Sequence, residues 1–254
     1  MSKKTGTKEW ADHSMNIQRG CEHNCRYCYA RYNAVDRFKT CEARHWPLPC
    51  INEAKVDMPH KRKYKGGIMF PTTHDITSAN LSQYLCVLRK LLDAGNDVLI
   101  VSKPHIECID TICNFYAEYR DQIMFRFSIG STSDDVLGFW EPNAPTFTER
   151  LTCLKLAFDR GFKTSVSCEP YLDAYAPHTY FTCRDFITDS FWVGKLRGFN
   201  SRVRLDDVTP AQMKKFVDML KVILSDNIVK IIYRSLEGQP FIKWKDSIRE
   251  VMGE

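Results

Sequence analysis

Short apolar runs alternate with amphipathic segments along most of this chain, and that order leaves few folds open. Candidate strands, β-branched or aromatic, fall at 15–18, 68–70, 98–101, 123–129, 164–167, 191–193 and 229–233. Between them Leu81, Tyr84, Leu85, Leu88, Leu91 and Leu92 recur at helical spacing before Gly95. Leu151, Leu154 and Phe158 do the same before Gly161, after a capping-box pair, Thr146 and Glu149. Two more helices are expected over 106–119 and 210–224. Repeated strand and helix give a mainly parallel sheet, either doubly wound or closed toward a barrel, and both place the active site at the C-terminal ends of the strands.

At 254 residues and 44% hydrophobic content the chain suits a single α/β domain over 1–254, with an extension from about 205. The stretch 37–65 breaks the regular order. It carries Pro47, Pro49 and Pro59 and the basic run His60-Lys61-Arg62-Lys63-Tyr64-Lys65, and is expected to be a covering loop. The net charge of +5 is too mild for a dedicated DNA-coating protein but compatible with an anionic substrate. The N-terminal stretch has no apolar core of a secretory signal and no run suits a membrane span, so a cytoplasmic protein with no membrane partner is expected. In that reducing compartment eleven cysteines do not read as a disulfide framework, and a close cluster among them points to metal or catalysis.

Cys21, Cys25 and Cys28 form that cluster, on one short loop after the first candidate strand. Three thiolates can hold three irons of a [4Fe-4S] cubane and leave the fourth iron open to a small chelating molecule, whereas four-cysteine clusters serve electron transfer. Zinc is the rival ligand, because His23 lies inside the loop, although structural zinc sites usually come as two paired-cysteine knuckles and no second pair follows. A non-enzymatic zinc or iron-sulfur binding module therefore stays open beside an enzyme.

The segment CEHNCRYC resembles the CxxxCxΦC signature of the radical S-adenosylmethionine (SAM) superfamily, with Tyr27 at the aromatic position that lies near the adenine in that family. Its surroundings, with MFPTTHDIT, VLIVSKP, RFSIGSTS, EPNAPTFTERL and SVSCEPYL, resemble more narrowly the branch that includes spore photoproduct lyase and the DNA repair photolyase-like proteins, over roughly 8–175. The resemblance implies a partial (β/α)6 TIM-like barrel. It also implies a [4Fe-4S] cluster and SAM as cofactors, an electron donor such as flavodoxin or ferredoxin, and a 5′-deoxyadenosyl radical that takes hydrogen from the substrate.

The same resemblance orders the site residues. The Gly-Gly-Glu that many members carry after the second strand is absent, since Gly66-Gly67 precedes it; His74 and Asp75 stand where contact to the SAM amine is expected, though they also suit a turn or cap. Lys103, after the third strand, is placed to pair with the SAM carboxylate, and Ser128 is expected to point inward with Arg126. Arg150 and Glu169 complete the candidate cofactor contacts. Pro71-Thr72-Thr73 lacks the cysteine that donates hydrogen in spore photoproduct lyase, which puts thymine-dimer reversal in doubt and makes Cys168 the candidate substitute. The basic loops 60–65 and 194–204 are expected to form an electropositive rim for phosphates, so a nucleic acid or nucleotide is the leading substrate class. A peptide, protein side chain or small metabolite is the alternative.

Overall fold

In the computed structural model, which describes residues 5–254, seven parallel strands lie side by side in a curled half-barrel. They are β1 (His13–Ser14), β4 (Ile68–Met69), β5 (Val98–Ser102), β6 (Ile123–Ser128), β7 (Lys163–Cys168), β8 (Ser190–Val193) and β9 (Ile242–Trp244), paired in that order. A separate antiparallel pair joins β2 (Gln18–Arg19) to β3 (Cys50–Ile51). Because neighbours in the sheet follow chain order, each connection runs back over the same convex face, and the strand tips open together at one end.

Side-chain alternation divides the sheet. Ile100, Phe125, Phe127, Val166, Phe191 and Val193 belong to the main core shared with the helices, while Met69, Leu99, Val101 and Met124 pack with Trp10 in a second, smaller cluster inside the curl. Helix Leu81–Asp93 buries Tyr84, Val87, Leu88, Leu91 and Leu92, as its spacing requires, and the Tyr84 hydroxyl donates to the Phe70 carbonyl at 2.6 Å. Full burial of side chains this large contributes about 1.5–3 kcal/mol each. Helix Phe147–Asp159 opens on Thr146, whose Oγ1 accepts from Glu149 N at 3.3 Å, but only half the capping box forms. The Glu149 carboxylate instead accepts from Ile106 N at 3.1 Å, tying two helix starts together.

Three expectations are corrected. The run 229–233 is not a strand but part of helix Asp226–Leu236, where Val229, Ile232 and Leu236 are buried and Ile231 is exposed; the helical period governs a run that reads as β-branched, and β9 completes the sheet instead. The first strand does not run over 15–18. It splits around Asn16, whose Oδ1 accepts from Thr72 N at 2.8 Å and Thr73 N at 3.0 Å, giving β1 in the barrel and β2 outside it. The insertion is more than a covering loop, since it supplies β3, helix Glu53–Asp57 and the buried Trp46. The expected helix over 106–119 forms as Ile106–Phe115 with a 3-10 turn beyond. The one over 210–224 forms as a run from Pro210 to Ile223 that is π-helical at Met213–Val217.

Candidate active site

Cys21, Cys25 and Cys28 occupy the loop between β2 and the short helix Tyr29–Arg31, and all three line one cavity of about 740 Å3 at the strand tips. The loop is held from behind. Gly20 has φ +86°, and a Cβ there would stand 2.7 Å from the Trp46 carbonyl oxygen, the same oxygen that accepts from Cys21 N at 2.9 Å. Cys28 caps the following helix, its Sγ accepting from Arg31 N at 3.4 Å. Burial pushes the Cys21 thiol up to about 12, with Asp75 adding to it, and likewise raises Cys25 and Cys28, so a metal bound there would have to displace the thiol protons.

Asp75 joins this loop to the tip of β5. Its Oδ1 accepts from Lys103 N at 2.8 Å and Ser102 Oγ at 3.2 Å; its Oδ2 lies 2.8 Å from His23 Nδ1 and 3.6 Å from Lys103 Nζ. Burial alone would raise this carboxyl, but Lys103 and His23 outweigh it and hold it well below the usual carboxylate range. Asp75 is thus largely committed inside the protein. His23 is fully buried, and its Nε2 lies 2.9 Å from His105 Nε2. His23 Nδ1 donates to the ionised Asp75, so both of its ring nitrogens are engaged within the protein.

Tyr27 lines the cavity and donates to Glu141 Oε1, which sequence reasoning missed. Glu141 Oε2 meets Arg150 Nη2 at 2.6 Å; Arg150 in turn donates to the carbonyls of Pro145 at 2.8 Å and Ser128 at 3.1 Å. Arg150 is wholly buried and absent from the cavity wall, so it neutralises Glu141 rather than touching a ligand. Next along the loop, Tyr29 donates to the Thr72 carbonyl.

His74, Asp75, Lys103, Ser128 and Glu169 all line the cavity. His74 is nearly buried and neutral, burial having lowered it to about 4, and its Nε2 has no partner among the described residues. Ser167 Oγ, on β7 and also in the cavity wall, is orphaned in the same way. Glu169 lies 3.3 Å from Lys245 Nζ; burial still raises its carboxyl to about 7 against that lysine's pull. Lys245 also reaches Glu9 at 2.6 Å and the Gly6 carbonyl at 2.7 Å, so the chain start, 5–10, forms part of the cavity wall with Trp10.

Besides Arg150, expected as a cofactor contact but absent from the cavity wall, two site expectations fail on geometry. Cys168 is fully buried among the core side chains and does not line the cavity, because alternation along β7 turns Ser167 inward and Cys168 toward the helices. It has no path for donating hydrogen to a substrate held there. The basic run at 60–65 is not on the rim. The Lys65 carbonyl contacts His13 Nε2 at 3.1 Å and Tyr64 N donates to Asn96 at 2.8 Å, which places the run at the N-terminal ends of β1 and β5, opposite the cavity. Loop 194–204 does reach the cavity, through Lys195, Leu196, Arg197 and Arg202. Ser167 was open to discovery from the two-residue period, once the inward phase of β7 is known; Glu141 carries no local signal.

The residues fit an iron-sulfur cluster with a polar ligand beside it: three thiols face one cavity, and His74 Nε2 and Ser167 Oγ stand there without partners. A small ion is also geometrically accommodated, since ligand atoms of Cys21, His23 and Asp75 lie within 4.8 Å of one another. No described helix is long and apolar enough to cross a membrane.

No family model matches the chain. A protein of Acidianus two-tailed virus, "Uncharacterized protein ORF301", is 29% identical over 172 residues, which cover 63% of this chain and 55% of that protein; the chain spans about half the length of this viral relative. Among solved structures, a mutant of spore photoproduct lyase superposes with a TM-score of 0.57 at 17% identity, over 95% of this chain and 78% of that one. The same mutant with dinucleoside spore photoproduct gives 0.55 at 17%, and a second mutant of that enzyme 0.56 at 16%, over the same shares. The chain has the fold of spore photoproduct lyase.

Proposed function

We infer that this protein is a radical SAM enzyme acting on a nucleic acid or nucleotide. The observation that carries the reading is the set of three cysteine thiols, with no fourth beside them among the described residues, opening into a cavity at the tips of a half-barrel. Cys21, Cys25 and Cys28 would hold a [4Fe-4S] cluster, which with an electron donor such as a flavodoxin or ferredoxin would supply reductive cleavage of SAM. The chain's own residues prepare the place. Asp75 fixes the cluster loop against β5 and leaves Lys103 Nζ in the cavity wall as a cation for a carboxylate. His74 and Ser167 offer uncommitted polar atoms, and Tyr27 presents an aromatic wall held by Glu141. The substrate class is supported by the cationic side of the mouth and by the solved lyase structure with dinucleoside spore photoproduct.

The second reading, a zinc-binding module, is favoured by the Cys21, His23 and Asp75 grouping. Against it, both ring nitrogens of His23 are already engaged, by Asp75 and His105. Anaerobic reconstitution with iron and sulfide, then dithionite and SAM, tests the two. Release of 5′-deoxyadenosine that disappears in Cys25→Ala supports the enzyme; a colourless protein that retains zinc and never cleaves SAM overturns it.

A further inference from the structure

This inference rests on the substrate class just given and names how that substrate is held. Three of the six Lys and Arg side chains lining the cavity already have carboxylate partners: Lys103 lies 3.6 Å from Asp75, Arg197 pairs with Asp246 at 3.2 Å and Glu250 at 2.6 Å, and Lys195 with Asp226 at 3.6 Å. Among the described residues, the guanidiniums of Arg37 and Arg202 have neither an ion pair nor a hydrogen bond, and both line the cavity that the cluster cysteines line. Lys8 is a third such cation but has no tether.

The two arginines come from segments far apart in sequence that are fastened to each other. Arg37 ends the π-helical turn Tyr32–Arg37, which continues from the cluster loop; Arg202 ends helix Phe199–Arg202. Asp36, next to Arg37, pairs with Arg204, two residues beyond Arg202, and Arg204 N donates to the Arg26 carbonyl in the cluster loop at 2.8 Å. The fastening keeps two like charges at one opening, an arrangement that an anion relieves. Guanidinium forks match phosphate oxygens in geometry. Arg37 also lies 5.0 Å from the ring centroid of Phe38, which is 60% exposed and offers an aromatic face of the kind on which unpaired bases stack.

We propose that Arg37 and Arg202 clamp one backbone phosphate of a single-stranded or locally unpaired nucleic acid, with Phe38 stacking a neighbouring base. The test is anaerobic fluorescence anisotropy of a labelled short oligothymidylate on the cluster-loaded protein across a salt series. Thymidine monophosphate and inorganic phosphate serve as competitors. Arg37→Gln and Arg202→Gln should each weaken binding about tenfold, the size of a lost charged hydrogen bond. Each should also flatten the slope of log affinity against log salt by about 0.7. Phe38→Ala should weaken binding with the slope unchanged, and Lys63→Gln, at the far end, should match the unaltered protein. Iron-sulfur absorbance and melting temperature identify any variant that misfolds, and Arg37→Met and Arg202→Met, which also remove the charge, then serve in its place. Oligothymidylate binding that neither arginine variant weakens overturns the clamp and leaves the substrate class standing. Equal competition by free phosphate and oligothymidylate overturns the backbone-phosphate assignment. A protein that binds no oligothymidylate at low salt overturns the clamp and the substrate class together.

Discussion

Replacing Arg150 by methionine should be among the most damaging single changes near the site, although Arg150 does not line the cavity. The side chain is fully buried and donates to the Pro145 and Ser128 carbonyls as well as to Glu141, itself 2% exposed. Methionine fills much of the volume but leaves the Glu141 carboxylate without its cation and two carbonyls without their donor. Removing one partner of a buried pair costs about 3–5 kcal/mol, because the remaining charge stays desolvated. At about 2–4 °C per kcal/mol for a domain of this size, the melting temperature should fall by roughly 6–20 °C. Glu141 should also respond by taking up a proton, so the loss should shrink as pH is lowered, an outcome opposite to the usual acid destabilisation. The double variant Arg150→Met with Glu141→Gln removes the stranded charge and should recover part of the loss. Thermal melts of the cluster-loaded proteins under anaerobic conditions, at several pH values, measure each step. A drop under about 1 kcal/mol for Arg150→Met, or a double variant no more stable than the single one, would refute the account of Arg150 as the counter-ion on which the Tyr27–Glu141 contact depends.

Glu169 provides a pH test. Its carboxyl is raised by burial to about 7 in the folded protein, against an ordinary value of 4.5, with Lys245 only partly opposing. A raised folded value means stability that is present below the ordinary value and is lost as pH climbs through about 7. The melting temperature should therefore decline across that window, and Glu169→Gln should remove the decline. Gly20→Ala forces a Cβ to 2.7 Å from the Trp46 oxygen at φ +86°, so iron bound per chain after reconstitution should drop sharply; full occupancy would show that the loop tolerates the change. Cys168→Ala should cost some stability through the small cavity it leaves, and in the native protein the Cys168 thiol should resist alkylation by iodoacetamide while exposed Cys50 reacts, since Cys168 faces the helices. Alkylation of Cys168 as fast as that of Cys50 would restore Cys168 to the site.

Local order was legible in the residues themselves. The spacing of Tyr84, Leu88, Leu91 and Leu92 and the glycines at 95 and 161 define their helices, because a 3.6-residue period and a positive-φ stop are properties of a short segment. That three cysteines would lie together was legible for the same reason: they come from one loop of eight residues, and they line one cavity. What failed was what depends on a partner distant in sequence. Strand phase decided Cys168, since a one-residue difference along β7 separates the cavity from the core, and only the packed sheet fixes which side is which. Glu141 and Arg150 find Tyr27 through contacts spanning more than a hundred residues, and Asp75 is drawn off its expected ligand by His23 and Lys103. The basic run at 60–65 has the composition of a phosphate-binding rim but sits at the wrong end of the strands. Composition and spacing determined which chemistry the chain can host. The tertiary structure decided which charges meet, because in a half-barrel the cavity wall is assembled from strand tips that the sequence keeps tens of residues apart.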